Sequence, residues 1–351
     1  MPHNKNAFDA LRVLFALFVF ISHSYFLTGR DTAEPIFVFS KGQTTLADIG
    51  VMGFFTLSGF LITSSFDRAT SAYSFLLNRA LRILPGFWVC LVVTGFIIAP
   101  ALYYLNRHTL AGFNYRAHDG ALSYVYSNAL LHINQWSLGD VVSHGIVKQA
   151  LNGSLWSLLP EAKCYLLTLI IGLFALINKN KAAFLILLAL VYTVYVVNLY
   201  DTSKTFGPSV LTLGNTLKLY TAYLCGAALY VFRNDLTIDI KGQVFLLLLA
   251  IVLLRNGGFA IAEPLLIALI AVKGFANFTI NLKYDISYGL YIYAFPIQQL
   301  IITAYYPSLG FWGILFISLA LTCLAAFLSY TLVEKPFLKL KKAGEKQAVA
   351  V

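Results

Sequence analysis

Two ionisable residues share the first long apolar run, DALRVLFALFVFISHS. Arg12 and His23 stand eleven residues apart. That is about three helical turns, so a helix puts both on one face, separated by about 16 Å. An imidazole so placed can take a proton from a hydroxyl, and a guanidinium can grip phosphate oxygens through its fork of N–H donors. Taken singly, each also fits a blander role: an arginine snorkelling to the interface, a histidine satisfied in the core. Their shared face favours chemistry, because ionisable groups inside a membrane are expensive and usually mark a site.

Further candidates follow along the chain. In NRALRILPGFW, Arg79 and Arg82 are three apart and share a helix face. Pro85 suits the first turn of a membrane helix beginning near residue 83. The arginine pair fits plain positive-inside topology. With Arg12 it also fits a cationic pocket for a bulky phosphorylated cofactor arriving from the cytoplasm. The segment ADIGVMGFFTLSGFLITSSF supplies Gly53, Ser58 and Gly59, small residues suited to close helix packing. Asp48 at its end is a helix cap or a site residue, and Asp48 and Ser58 are the candidates there for substrate binding.

In NGSLWSLLPEAKCYLL, Asn152 or Ser154 can cap a helix with Pro160 in its first turns. Glu161 then enters the apolar run; beside a histidine, a carboxylate orients the ring and stabilises its protonated form. A solvated Glu161–Lys163 rim is the other reading, although residues two apart point to different helix faces. In YDISYGLYIYAFPIQQL, Tyr288, Tyr291, Tyr293, Gln298 and Gln299 are unusually polar for a span. Tyrosines anchor helices at the interface; Tyr288 and Tyr291 could also line a groove for a cofactor or sugar. Pro336, in Glu334-Lys335-Pro336, is expected to end the last helix, with Glu334 paired to a basic residue.

The elements that must carry these residues are set by composition. Of 351 residues, 59% are hydrophobic and 11% charged, and the mean hydropathy is +0.76. That excludes a soluble globule, a disordered chain and a nucleic-acid binder with a basic surface. It predicts an all-α, polytopic integral membrane protein. About ten spans are expected, at 8–28, 47–66, 83–104, 155–177, 182–200, 209–232, 243–256, 258–273, 284–305 and 309–332. The seventh and eighth are short and separated by RNGG, so they also fit a broken hairpin or a re-entrant pair. With both termini in the cytoplasm, the inner segments hold most of the Lys and Arg, which agrees with the positive-inside rule and accounts for the excess of Lys+Arg (25) over Asp+Glu (15).

A single domain over 1–340 is expected, with an outer loop over about 104–153 and a basic cytoplasmic tail at 341–351. The first run carries Arg12 and His23 and has no small-residue cleavage site, so it is expected to remain as a span. The four cysteines show no CxxC spacing, and the histidines match no metal-ligand motif. GxSxG, Walker and GxGxxG motifs are absent.

Several blocks in order resemble the acyltransferase 3 family of membrane acyltransferases. They are LRVLFALFVFISHS with its Arg and His, GVMGFFTLSGFLITS, RALRILPGFW with its R-x-x-R, GSLWSLLPEAKCYLL, ISYGLYIYAFPI and the closing SYTLVEKPFLKL. Two positions depart from the pattern: Met52 and Gly53 stand where many members have Asp before the Phe pair, and Ala294 stands where many have His.

The resemblance implies O-acylation, by frequency acetylation, of a carbohydrate or glycolipid hydroxyl at or near the outer face of a bacterial inner membrane. It implies an acyl-CoA, acetyl-CoA above all, as co-substrate, with no permanently bound cofactor. Arg12, Arg79 and Arg82 would then hold the donor's phosphates and His23 would be the base. Glu161 would orient His23 or help deliver the acceptor, and Trp156 would stack on the sugar. Membrane lipids are the other partners expected, and no nucleic acid is. The competing reading is a transporter or flippase for a lipid-linked sugar, which polar intramembrane residues and the short seventh and eighth spans also fit.

Overall fold

The computed structural model describes residues 7–143, 145–148, 150–174, 177, 180–201, 208–275, 278–280 and 282–340, with the backbone alone at 201 and 208–214. Every regular element among them is helical. Ten helices correspond to the ten apolar segments: α1 Phe8–Leu27, α2 Leu46–Asp67, α3 Ala72–Val93, α4 Leu158–Leu173, α5 Lys181–Asp201, α6 Pro208–Val231, α7 Ile240–Asn256, α8 Phe259–Ala268, α9 Ser287–Tyr305 and α10 Gly310–Ser329. Six helical stretches among the described residues are long and apolar enough to cross a membrane. In one of them, Lys181–Tyr200, only 11% of the most apolar window is buried by protein, as expected of a helix that faces lipid. The chain is a multi-pass membrane protein.

Two expectations about helix ends need correction. The third helix begins at Ala72, not near 83, and Pro85 sits inside it. Hydropathy marks where lipid contact begins, whereas Ala72–Arg82 can be helical in a polar setting. The helix then runs on through a π turn at Thr94–Ile98 to Arg107. Pro336 does not end the last helix, which continues to Leu340. A π turn at Tyr330–Glu334 immediately precedes it, and such local adjustments accommodate the N–H that proline lacks.

The helices group into two compact units. Unit one comprises residues 1–18, 34–75 and 160–283. Its centre is the contact of α2 with α6, where two glycines let backbones meet. A Cβ at Gly59 would lie 1.9 Å from the Tyr223 carbonyl oxygen, and one at Gly226 would lie 2.0 Å from that of Thr56. Only glycine fits at either place. The short α7 and α8 form a hairpin turning at Gly257 and Gly258, both with positive φ. Gln43 fastens the turn: its amide nitrogen donates to the Leu253 and Leu254 carbonyls and its amide oxygen accepts from the Phe259 N–H.

Pro264 lies inside α8 and leaves the Ala260 carbonyl without its helical donor. The Tyr195 hydroxyl donates to that carbonyl at 2.5 Å. With no water in the hydrocarbon region, such a replacement donor is what allows the proline.

Unit two comprises residues 19–33, 76–159 and 284–351. There α9 and α10 meet closely at Gly289, where a Cβ would lie 2.7 Å from the Ala326 Cα. Pro296 of α9 leaves the Ile292 carbonyl open, and the Asn152 amide (2.9 Å) and the Cys90 thiol (3.3 Å) donate to it. The long connection from His108 onward contains a helix at Ala121–Asn128. Asn128 orders it, accepting from the Asn134 and Gln135 N–H groups and donating to the Gln135 carbonyl.

The proline account predicts an interaction between two positions. Tyr195→Phe should destabilise the detergent-solubilised protein by about 1–3 kcal/mol, the usual penalty for a buried acceptor left unmatched. In a Pro264→Ala background, which restores the helical N–H, the same change should have little effect. Equal effects in both backgrounds, measured by thermal unfolding, would contradict it.

Candidate active site

Unit two holds most of the predicted site residues. His23 lies near the end of α1, its ring edge-on to Phe295 of α9 with centroids 5.1 Å apart. The residue as a whole is half-buried. Its Nδ1 is sealed from solvent and has no hydrogen-bond partner among the described residues. The opposite nitrogen, Nε2, is not among the sealed atoms, which leaves it as the nitrogen for a substrate. The Phe295 ring also covers Gly153, where a Cβ would come within 2.7 Å of it. The next residue, Ser154, has a sealed hydroxyl with no partner among the described residues. Trp156 is half-buried on the 3-10 turn Gly153–Ser157, which Asn152 caps as expected. The Tyr291 and Ser157 hydroxyls are bonded at 2.6 Å, so Tyr291 fixes the turn that carries Trp156.

Arg82 sits about two turns away, beside the start of α9. Arg82 forms an ion pair with Asp285 at 2.6 Å. The other oxygen of Asp285 accepts from the Ser287 hydroxyl and N–H and so caps the start of α9. One carboxylate thus both starts the helix and aims the guanidinium. The Tyr288 hydroxyl donates to the Ile83 carbonyl of α3, and its ring lies against Gly86. Glu334 is buried, accepts from the Ser329 hydroxyl and lies within electrostatic range of Arg82. Tyr288 and Phe295 are seven residues apart, or about 10 Å along the helix. A single helix therefore has Arg82 beside its start and His23 against it further on.

The remaining candidates belong to unit one. Arg12 pairs with Asp9 at 3.1 Å, one turn earlier on α1. Ser58 and Glu161 come together: the Glu161 carboxylate accepts from the Tyr165 hydroxyl at 2.5 Å and from Ser58 at 3.5 Å. Lys163 is exposed. Asp48 forms a capping box with Thr45 at the start of α2 and lies 3.5 Å from Lys218.

Three polar residues carry more than their sequence suggested. Glu263 of α8 is fully buried, 2.7 Å from the Lys218 ammonium and 2.7 Å from the Thr44 hydroxyl. An acidic residue in IAEPLLIA was a readable signal, but its partner is remote in sequence. Gln298 of α9 is also fully buried and bonds to α1. Asn152, expected only as a cap, also serves the carbonyl freed by Pro296. Both departures from the family pattern have packing reasons. The Phe15 ring occupies the space of any side chain at 53, coming within 2.4 Å of a Cβ there. Ala294 is packed among Phe20, Phe311 and Leu315.

A profile described as an acyltransferase domain matches residues 5–331. An O-acetyl transferase of Shigella phage Sf6 is 29% identical over 96% of this chain and 97% of its own. Nodulation protein 10 of Rhizobium leguminosarum bv. viciae is 26% identical over 96% of this chain and 94% of its own. No solved structure matches significantly. The profile spans the helix carrying His23, the Arg79–Arg82 pair and all of α9 and α10, and with it the chain belongs to the acyltransferase 3 family, a family of enzymes.

Proposed function

We propose that this enzyme is an O-acetyltransferase. It moves an acetyl group from acetyl-CoA, supplied from the cytoplasm, to a hydroxyl of a carbohydrate or glycolipid at or near the outer face of a bacterial inner membrane. In this reading 1–340 form one functional domain with ten crossings and both termini inside. The tail at 341–351 lies outside the described residues. The observation that carries the reading is the arrangement along α9: the Arg82 guanidinium beside its start, and further along it the His23 imidazole with one sealed nitrogen.

Each residue then has a role. Arg79 and Arg82 bind phosphate oxygens of the donor, with Asp285 holding the Arg82 fork in one orientation. The thioester is presented to His23, whose Nε2 takes the proton of the acceptor hydroxyl as that oxygen attacks the carbonyl. The acetyl–oxygen bond forms, the acetyl–sulfur bond breaks, and the coenzyme A thiolate leaves and takes up a proton. Trp156 stacks on the sugar. The name of the phage relative supports acetyl as the group transferred. The transport reading had the short α7–α8 hairpin in its favour; Gln43 and Tyr195 fasten that hairpin, and the family is one of acyl transfer.

Incubation of the purified protein with radiolabelled acetyl-CoA and a panel of sugars should place label in a sugar. Sugar movement across vesicles without labelling would support transport instead. Asp285→Ala should raise the KM for acetyl-CoA several-fold, by releasing the guanidinium that binds phosphate, and leave kcat nearly unchanged. A change in thermal stability with unaltered KM would return the Arg82–Asp285 pair to a structural role.

A further inference from the structure

We propose that Gln298 is the positioning residue that selects the catalytic tautomer of His23; this rests on the acyl-transfer reading above. The Gln298 side chain is fully buried on α9, one turn beyond Phe295. Its amide nitrogen donates to the Phe20 carbonyl at 2.9 Å and to the Ser24 hydroxyl oxygen at 2.6 Å, both on α1. The Ser24 hydroxyl in turn donates to the Phe20 carbonyl. A backbone carbonyl only accepts, so the amide cannot be turned the other way without setting two oxygens against each other. The orientation is thereby fixed, and it leaves the Gln298 amide oxygen as a sealed acceptor with no partner among the described residues.

The second sealed atom lies in the same seam. His23 is the neighbour of Ser24 on α1, and its ring contacts Phe295, three residues before Gln298 on α9. Its Nδ1 is likewise sealed and unmatched among the described residues. A buried polar atom left unmatched costs about 1–3 kcal/mol. Two such atoms on facing stretches of α1 and α9 answer both penalties if they serve one another, through one water or after a small side-chain shift. An amide oxygen can only accept, so Nδ1 must then carry the hydrogen. The lone pair is left on Nε2, the nitrogen open to substrate. The amide does here what a carboxylate does for histidine in hydrolytic triads, without placing a charge among apolar helices.

Two measurements test this. The first does not depend on activity. Nitrogen-15 magic-angle-spinning NMR of histidine-labelled wild-type protein, with His23→Ala to assign the signal, should show His23 protonated on Nδ1. A neutral ring protonated on Nε2 would overturn the proposal. The second compares Gln298→Met, Gln298→Glu and Ser24→Ala in acetyl transfer. Gln298→Met removes the acceptor at similar size and should lower kcat roughly 10- to 100-fold, part of what a general base contributes, with KM for acetyl-CoA unchanged. Gln298→Glu, neutral when buried, can donate through O–H and accept through its carbonyl, and should recover most of the rate. Ser24→Ala should give a smaller fall in kcat. Unchanged kcat in Gln298→Met, or in Ser24→Ala if Gln298→Met does not fold, would overturn the proposal. A fall confined to KM would do so as well. Absence of transfer by the wild type would count against the acetyltransferase reading instead and leave the tautomer result standing by itself.

Discussion

No water reaches the middle of an apolar helix, so each polar atom there must be matched by the protein or by what the protein binds. This constraint accounts for much of the structure. Pro264 frees the Ala260 carbonyl and Tyr195 takes it; Pro296 frees the Ile292 carbonyl and Asn152 and Cys90 take it. Buried Glu263 is held between Lys218 and Thr44, and such a pair fixes geometry more than it adds stability. Sealed polar atoms without a hydrogen-bond partner among the described residues occur in several places, Ser318 and Thr322 of α10 among them, and those of His23 and Gln298 fall on the seam of α1 with α9.

Along α9 the structure passes from a capped and ion-paired start to a seam against α1. At the start, Asp285 serves the Ser287 cap and Arg82 together. In the seam, Gln298 is tied down by two bonds from its nitrogen while its oxygen stays open. Rigid helices and side chains locked by their own bonds can present a base to an acyl donor in one orientation, which is the larger part of what a transferase must provide.

Much of this was legible in the sequence because the lipid solvent enforces long apolar runs. All ten runs contain a helix, and the Arg12–His23, Arg79–Arg82 and Glu161 signals each fall on a helix. Helix ends were less legible, since hydropathy stops at the lipid boundary while hydrogen bonding does not. This is why α3 begins at Ala72 and why Pro336 does not end its helix. Least legible were the partners. Tyr195 is 65 residues from the carbonyl it serves, Asn152 is 140 from its own, and Gln298 is 274 from Ser24. A glutamine in a span is visible as an anomaly, but its use depends on which helix lies opposite. Gly53 and Ala294, read as departures from a family pattern, are filled from outside by Phe15 and by Phe20, Phe311 and Leu315.

The central claim is that Nε2 of His23 takes the acceptor's proton. The most direct measurement is the single-turnover rate of acetyl transfer by His23→Gln, saturated with acetyl-CoA and matched to the wild type in thermal unfolding. The account predicts that this variant binds the donor like the wild type and transfers at least about 100-fold more slowly, the lower range for loss of a general base. Transfer at the wild-type rate would contradict it.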